Sequence, residues 1–197
     1  MGLIDTLKLA AATLRDARVQ FALAGSAACW ARGAPEPRND IDLAIRAEDC
    51  ERAQQALADA GMRIERPPEG WLFKAWHGEV LVDVMWDLAG CPPAADLLAR
   101  AEELSVQAVP MPVLALDDVI TSKLSAFDEQ TLDFAAPLSI ARALREQIDW
   151  PAVRERTAAS PYARGFLALL EELGVIDRAP AADHAGQHPQ IRVVAGK

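Results

Sequence analysis

The chain has 197 residues, 51% of them apolar, and sets 20 Lys and Arg against 29 Asp and Glu for a formal charge of −9. That apolar share excludes disorder over most of the length and fits one compact domain, or a domain with an appended subdomain. The acidic balance excludes nonspecific coating of extended duplex nucleic acid, which needs a basic footprint to displace phosphate counterions, although a local basic site remains allowed.

Residues 1–17 intersperse Asp5, Lys8, Arg15 and Asp16 with apolar residues, the pattern of an amphipathic helix and not of a secretory signal. Residues 19–24 are a short apolar run stopped by Gly25-Ser26 and predict a buried strand that turns directly into a helix ending at Gly33. Two prolines make residues 34–39 a loop, and residues 40–45 alternate charge with hydrophobe, as a strand with two unlike faces does. Helical spacing over 48–60 ends at Gly61, and a short strand is predicted at 62–65. Residues 71–76 and 79–86, joined by His77-Gly78, form the strongest hairpin candidate, with Trp71, Trp76 and Trp86 expected in the core.

A short helix is predicted from Pro93 to about Leu104, then an extended segment over 106–114 carrying Pro110 and Pro112. Helical patterns at 117–127, 137–147, 150–157 and 161–173 follow with no convincing strand among them. The expected organisation is a mixed α/β core over 1–112, a helical subdomain over 113–178 and a loosely docked tail over 179–197. Cys29, Cys50 and Cys91 are an odd number without a CxxC pair, so buried reduced thiols are expected. No stretch approaches the roughly 18 uncharged apolar residues of a membrane span, and a cytoplasmic location is expected.

The residues that carry chemistry begin with Asp40 and Asp42. Two apart on a strand, they project to one face about 7 Å apart along the backbone. Like charges so placed call for a cation between them, and hard divalent ions are bound by such oxygens. A solvated edge strand is the bland alternative, against which Ile41, Leu43 and Ile45 supply a strongly apolar opposite face. Asp83 lies within the apolar run 80–86, where an unpaired carboxylate costs several kcal/mol to bury. Its partner is either a metal shared with Asp40 and Asp42 or an arginine such as Arg46, and Asp87 is a spare candidate. Gly25 at a strand-to-helix turn permits close backbone approach to a phosphate, with Ser26 adding a hydroxyl or only capping the helix.

Leu23-Ala-Gly-Ser26, a gap of 13 residues, Asp40-Ile-Asp42 and the apolar-flanked Asp83 together resemble the nucleotidyltransferase superfamily related to DNA polymerase β. The chain looks most like small bacterial stand-alone members related to antibiotic adenylyltransferases and abortive-infection toxin nucleotidyltransferases. The resemblance implies an α+β fold, a mixed β-sheet flanked by helices and followed by a helical C-terminal subdomain. It further implies transfer of a nucleoside monophosphate from an NTP such as ATP to a hydroxyl of a small molecule, RNA end or protein. Two Mg²⁺ ions would be held by Asp40, Asp42 and Asp83, with Asp83 also helping to deprotonate the acceptor.

Lysines are scarce, only Lys8, Lys74, Lys123 and Lys197. Lys123 resembles the helix lysine of these relatives, whose implied role is to meet the triphosphate as a point charge; an exposed helix lysine is the alternative. Arg38 is a further candidate phosphate or substrate contact, Asp133 a weak match to a family acid, and His184 and His188 read as tail residues. A second function class, a catalytically silent nucleotidyltransferase-fold module such as one partner of a toxin–antitoxin pair, would bring a protein partner instead of turnover.

Overall fold

In the computed structural model, which describes residues 2–37 and 40–178, the seven strands found there form one mixed sheet in the order β3-β4-β5-β2-β1-β7-β6. Helix α1 (Leu3–Asp16) buries Leu7, Ala10, Ala11 and Leu14, spaced three and four apart, and leads into β1 (Phe21–Leu23), which is wholly buried. Helix α2 (Gly25–Trp30) begins at the glycine itself, directly after the strand as expected, and ends at Trp30, short of the expected stop at Gly33. Strand β2 (Asp40–Ile45) runs antiparallel to β1 and parallel to β5 (Val80–Met85), which puts it at the centre of the sheet. Its alternation is the reason it can sit there: Ile41, Leu43 and Ile45 are at most 1% exposed, whereas Asp40 and Asp42 stand on the open face. Each of those three apolar side chains contributes about 1.5–3 kcal/mol of burial, enough to fix the register and so the facing of the acids.

Helix α3 (Cys50–Asp59), preceded by a 3₁₀ turn, packs against α1, β3 (Arg63–Glu65) and β4 (Leu72–His77). Strands β4 and β5 form the expected hairpin, but the turn is Gly78-Glu79 and not His77-Gly78, with His77 paired to Val80 and Gly78 at φ +62°. A glycine in the first turn position accepts that conformation without strain. Thr6 Oγ1 lies 2.9 Å from His77 Nδ1 and ties α1 to the hairpin end.

The region after Pro93 departs from expectation. Helix α4 is only Ala94–Ala99, and Leu104, expected at a helix end, lies in β6 (Glu102–Val106). β6 pairs antiparallel with β7 (Val109–Val113) through a Gln107-Ala108 turn whose residues both have positive φ, 49° and 65°. Such a turn normally announces itself with Asn or Gly, which is why one extended segment was expected where the chain makes a hairpin. β7 then pairs parallel with β1, at Leu23 and Val113.

Helices α5 (Leu116–Ser125), α6 (Ala135–Leu144), α7 (Trp150–Arg156) and α8 (Pro161–Glu172) follow. They pack around Phe127, Phe134 and Phe166, whose ring centroids lie 5.1–6.0 Å apart. Asp149 and Ser160 cap α7 and α8 by accepting from the N–H groups of Ala152 and Ala163. The buried Asp118 of α5 accepts from Arg100 at two 2.7 Å contacts and lies 2.9 Å from Arg156, locking α5 to the end of α4 and to α7. No helix among the described residues is long and apolar enough to cross a membrane.

Candidate active site

The centre of the open sheet face carries Asp42, held by the turn that precedes it in space. Gly25 adopts φ +48°, and a Cβ there would fall 1.8 Å from Asp42 Oδ2, so only glycine lets the carboxylate lie against the backbone. The N–H of Ser26 donates to Asp42 Oδ2 at 3.2 Å. Lys123, arriving from α5 and 97 residues away in sequence, donates from Nζ to Ser26 Oγ at 3.1 Å. The N-cap of α2 is Ala24, and the Ser26 hydroxyl accepts from Lys123, which is half-buried.

Asp40, Asp42 and Asp83 share one face. Asp42 and Asp83 are directly opposite across the parallel β2–β5 pair, and Asp40 lies two residues along β2 from Asp42. Burial pushes the Asp42 carboxyl above the ordinary 3.8, with Asp40 and Asp83 adding to the rise while Lys123 and the Ser26 N–H oppose it. A cation beside a buried carboxylate with two further acids next to it favours its charged form. Asp83 has a different partner from either foreseen: Lys74 Nζ donates to Asp83 Oδ1 at 2.9 Å, across β4 and β5. Arg46, the arginine considered for that place, pairs with Glu48 at 3.5 Å.

Lys74 is the site residue that sequence reading missed. A His77-Gly78 turn would put Leu72 opposite Asp83; the actual turn, one residue on, puts Lys74 there. Among the described residues no three His, Cys, Asp or Glu side chains converge closely enough to enclose a metal ion. Asp40, exposed to solvent, and Asp42 offer carboxylate oxygens of the kind a hard divalent ion takes, and Asp83 is engaged by the Lys74 ammonium.

Two cavities adjoin these acids. One, of about 390 Å³, is lined by Gly25, Asp42, Lys123 and Asp87 with Trp71, Met85 and Val119 as apolar walls. The other, of about 540 Å³, brings Ser26 and Asp40 together with Glu36, Asp133 and Ser139. Asp133 therefore reaches the site region, although its Oδ1 also accepts from the Ala135 N–H at 2.9 Å. The tryptophans expected in the core are not in it: Trp71 is 40% exposed at the cavity rim, and Trp76 and Trp86 are half-buried. All three cysteines are free thiols, but only Cys29 is buried. Arg38, His184 and His188 lie outside the described residues.

A family model for uncharacterised nucleotidyltransferases matches residues 37–172. The solution structure of the antibiotic-resistance factor ANT(2'')-Ia aligns with a TM-score of 0.60 at 18% identity, over 85% of this chain and 94% of that one. A Thermotoga maritima crystal structure assigned provisionally to the nucleotidyltransferases aligns with a TM-score of 0.50 at 16% identity, over 61% of this chain and 82% of that one. These likenesses concern the fold. No curated protein sequence matches the chain.

Proposed function

Because the chain belongs to the uncharacterised nucleotidyltransferase family, an enzyme family of nucleotidyl transfer, we propose that it is Mg²⁺-dependent and moves a nucleoside monophosphate from an NTP to a hydroxyl acceptor through the residues gathered around Asp42. The observation that carries this reading is the chain of contacts from Lys123 through Ser26 to Asp42, which sets a phosphate-seeking cation beside a cation-seeking acid pair. Lys123 and the Ser26 hydroxyl would bind the triphosphate, and Gly25 keeps side-chain bulk out of its path. Asp40 and Asp42 would hold Mg²⁺, which when bound neutralises phosphate charge and orients the reacting groups.

Asp83, opposite Asp42 across the β2–β5 pair, would accept the acceptor's hydroxyl proton. The hydroxyl oxygen then bonds to the α-phosphorus, the bond from that phosphorus to the bridging oxygen breaks, pyrophosphate leaves with the electron pair, and the proton passes to solvent. A small cationic acceptor suits a chain of charge −9 whose second cavity carries Glu36, Asp40 and Asp133. ANT(2'')-Ia, described as an antibiotic-resistance factor, makes antibiotics the first acceptors to try.

The test is to incubate the protein with Mg²⁺ and each α-³²P-labelled NTP over a panel of aminoglycosides, other polyhydroxylated amines and tRNA. Label should appear on an acceptor with wild type and be lost with Asp42→Asn. Label transfer that Asp42→Asn leaves untouched would overturn the assignment.

A further inference from the structure

The two-ion arrangement implied by resemblance needs the third carboxylate to face a divalent cation, and in this chain it already faces an ammonium. One row across three strands reads Lys74, Asp83, Asp42, each directly opposite the next. The row is fixed by the two-residue Gly78-Glu79 turn, which sets the β4–β5 register, and by the buried apolar face of β2. Lys74 and Asp83 are 27% and 19% exposed in their side chains, so water screens their 2.9 Å contact less than it would a surface pair.

The lysine has no better place to go. Glu65, its neighbour across β3, accepts from Trp76 Nε1 at 3.1 Å and lies 3.5 Å from Arg63, so it is already matched with a cation. Lys123 stands close enough to Asp42 to offset part of its charge, but its Nζ donates to Ser26 Oγ and not to a carboxylate, so it does not occupy an acid's oxygen as Lys74 does. The result is an asymmetric site. Asp40 and Asp42 keep their carboxylate oxygens clear of a direct ammonium contact and so can draw a divalent ion, whereas an ion seated on Asp83 would stand beside the Lys74 ammonium at 2.9 Å.

Resting on the nucleotidyl-transfer reading above, we propose that Lys74 is a positioning residue standing in for the second metal, so that the loaded site holds a single divalent cation, at Asp40 and Asp42. Lys74 holds the Asp83 carboxyl oriented through its 2.9 Å contact, and the ion that enters with the nucleotide is the only one required.

The experiment counts bound Mn²⁺ per chain by electron paramagnetic resonance, using full-length protein saturated in turn with the α,β-methylene analogues of ATP, GTP, CTP and UTP. Wild type should bind about one ion and Lys74→Met about two, with Lys74→Arg remaining at about one because the positive charge persists. Two ions in wild type, or one in both wild type and a folded Lys74→Met, would overturn the proposal while leaving nucleotidyl transfer intact. If Lys74→Met fails to fold, the wild-type and Lys74→Arg counts decide alone. No ion bound with any analogue would overturn this proposal and the functional reading together.

Discussion

Replacing Gly25 by alanine tests the local geometry of the site. The new Cβ would sit 1.8 Å from Asp42 Oδ2, 2.5 Å from its Cγ and 2.9 Å from its Cβ, so the carboxylate must swing to another rotamer to relieve the first two contacts, and the third, to an atom no rotamer moves, needs a small backbone shift. At φ +48° alanine also carries about 1–2 kcal/mol of left-handed backbone strain. Swinging Asp42 away breaks its hydrogen bond from Ser26 N–H, a contact to a charged group of about 1.5–3 kcal/mol, partly offset as the carboxylate regains water. The expected loss of stability is about 2–3 kcal/mol, read as a shift of the urea midpoint at unchanged slope. Transfer activity should fall by about 10²-fold, because a displacement of roughly 1 Å at a reacting centre costs that much. In an Asp42→Ala background the same replacement should cost the backbone strain and the remaining 2.9 Å approach to the retained Cβ, and this double-mutant cycle isolates the clash with the carboxylate. Gly25→Ala with stability and turnover both near wild type would refute the argument that glycine is there to admit Asp42.

Further outcomes follow from other contacts. Burial raises the Asp42 carboxyl, so its protonated form is the one favoured by folding: that contribution is present below the ordinary 3.8 and is lost as pH rises through the raised folded value. Metal-free Asp42→Asn should therefore melt above wild type at pH 8, with the gap closing toward pH 4, while transfer is abolished; scanning calorimetry at the two pH values checks this. Lys123→Met should raise KM for the NTP by about 10- to 100-fold, equivalent to about 1.4–2.7 kcal/mol, and leave the melting temperature almost unmoved. Asp118→Ala frees Arg100 and Arg156, which are 44% and 29% exposed and can turn to solvent, so its cost in urea unfolding should be about 2 kcal/mol rather than the 3–5 kcal/mol of a fully buried broken pair. Burial pushes the Cys29 and Cys91 thiols up to about 11, so neither should react with iodoacetamide at pH 8 until the chain unfolds, as counted by intact mass.

Those features of the fold that depend on local pattern were legible in the sequence. The range of β2 is the alternating run at residues 40–45, and the four later helices begin and end within two residues of their apolar periodicity, except that α6 stops at Leu144, three residues early, and a 3₁₀ turn carries the chain on to Gln147. The face shared by Asp40 and Asp42 follows from strand geometry alone. What escaped were facts about register and distance. A one-residue shift in the β4–β5 turn decides whether Asp83 meets Leu72 or Lys74, and no composition rule distinguishes His77-Gly78 from Gly78-Glu79 as its centre. The β6–β7 hairpin was hidden because Gln107 and Ala108 adopt positive φ without the residues that usually signal it, and because prolines at 110 and 112 argue against a strand. β7 keeps both prolines while pairing with β6 and with β1. Of the tryptophans expected in the core, Trp86 packs half-buried against it, whereas Trp71, just before β4, is exposed and lends its apolar body to a cavity wall.

The most direct measurement of the central claim is isothermal titration of each Mg-NTP against wild type and Asp42→Ala. The account predicts that at least one Mg-NTP binds wild type with 1:1 stoichiometry and binds the variant at least about tenfold more weakly, a difference of about 1.4 kcal/mol. Equal affinity in the two proteins, accompanied by equal transfer activity, would contradict it.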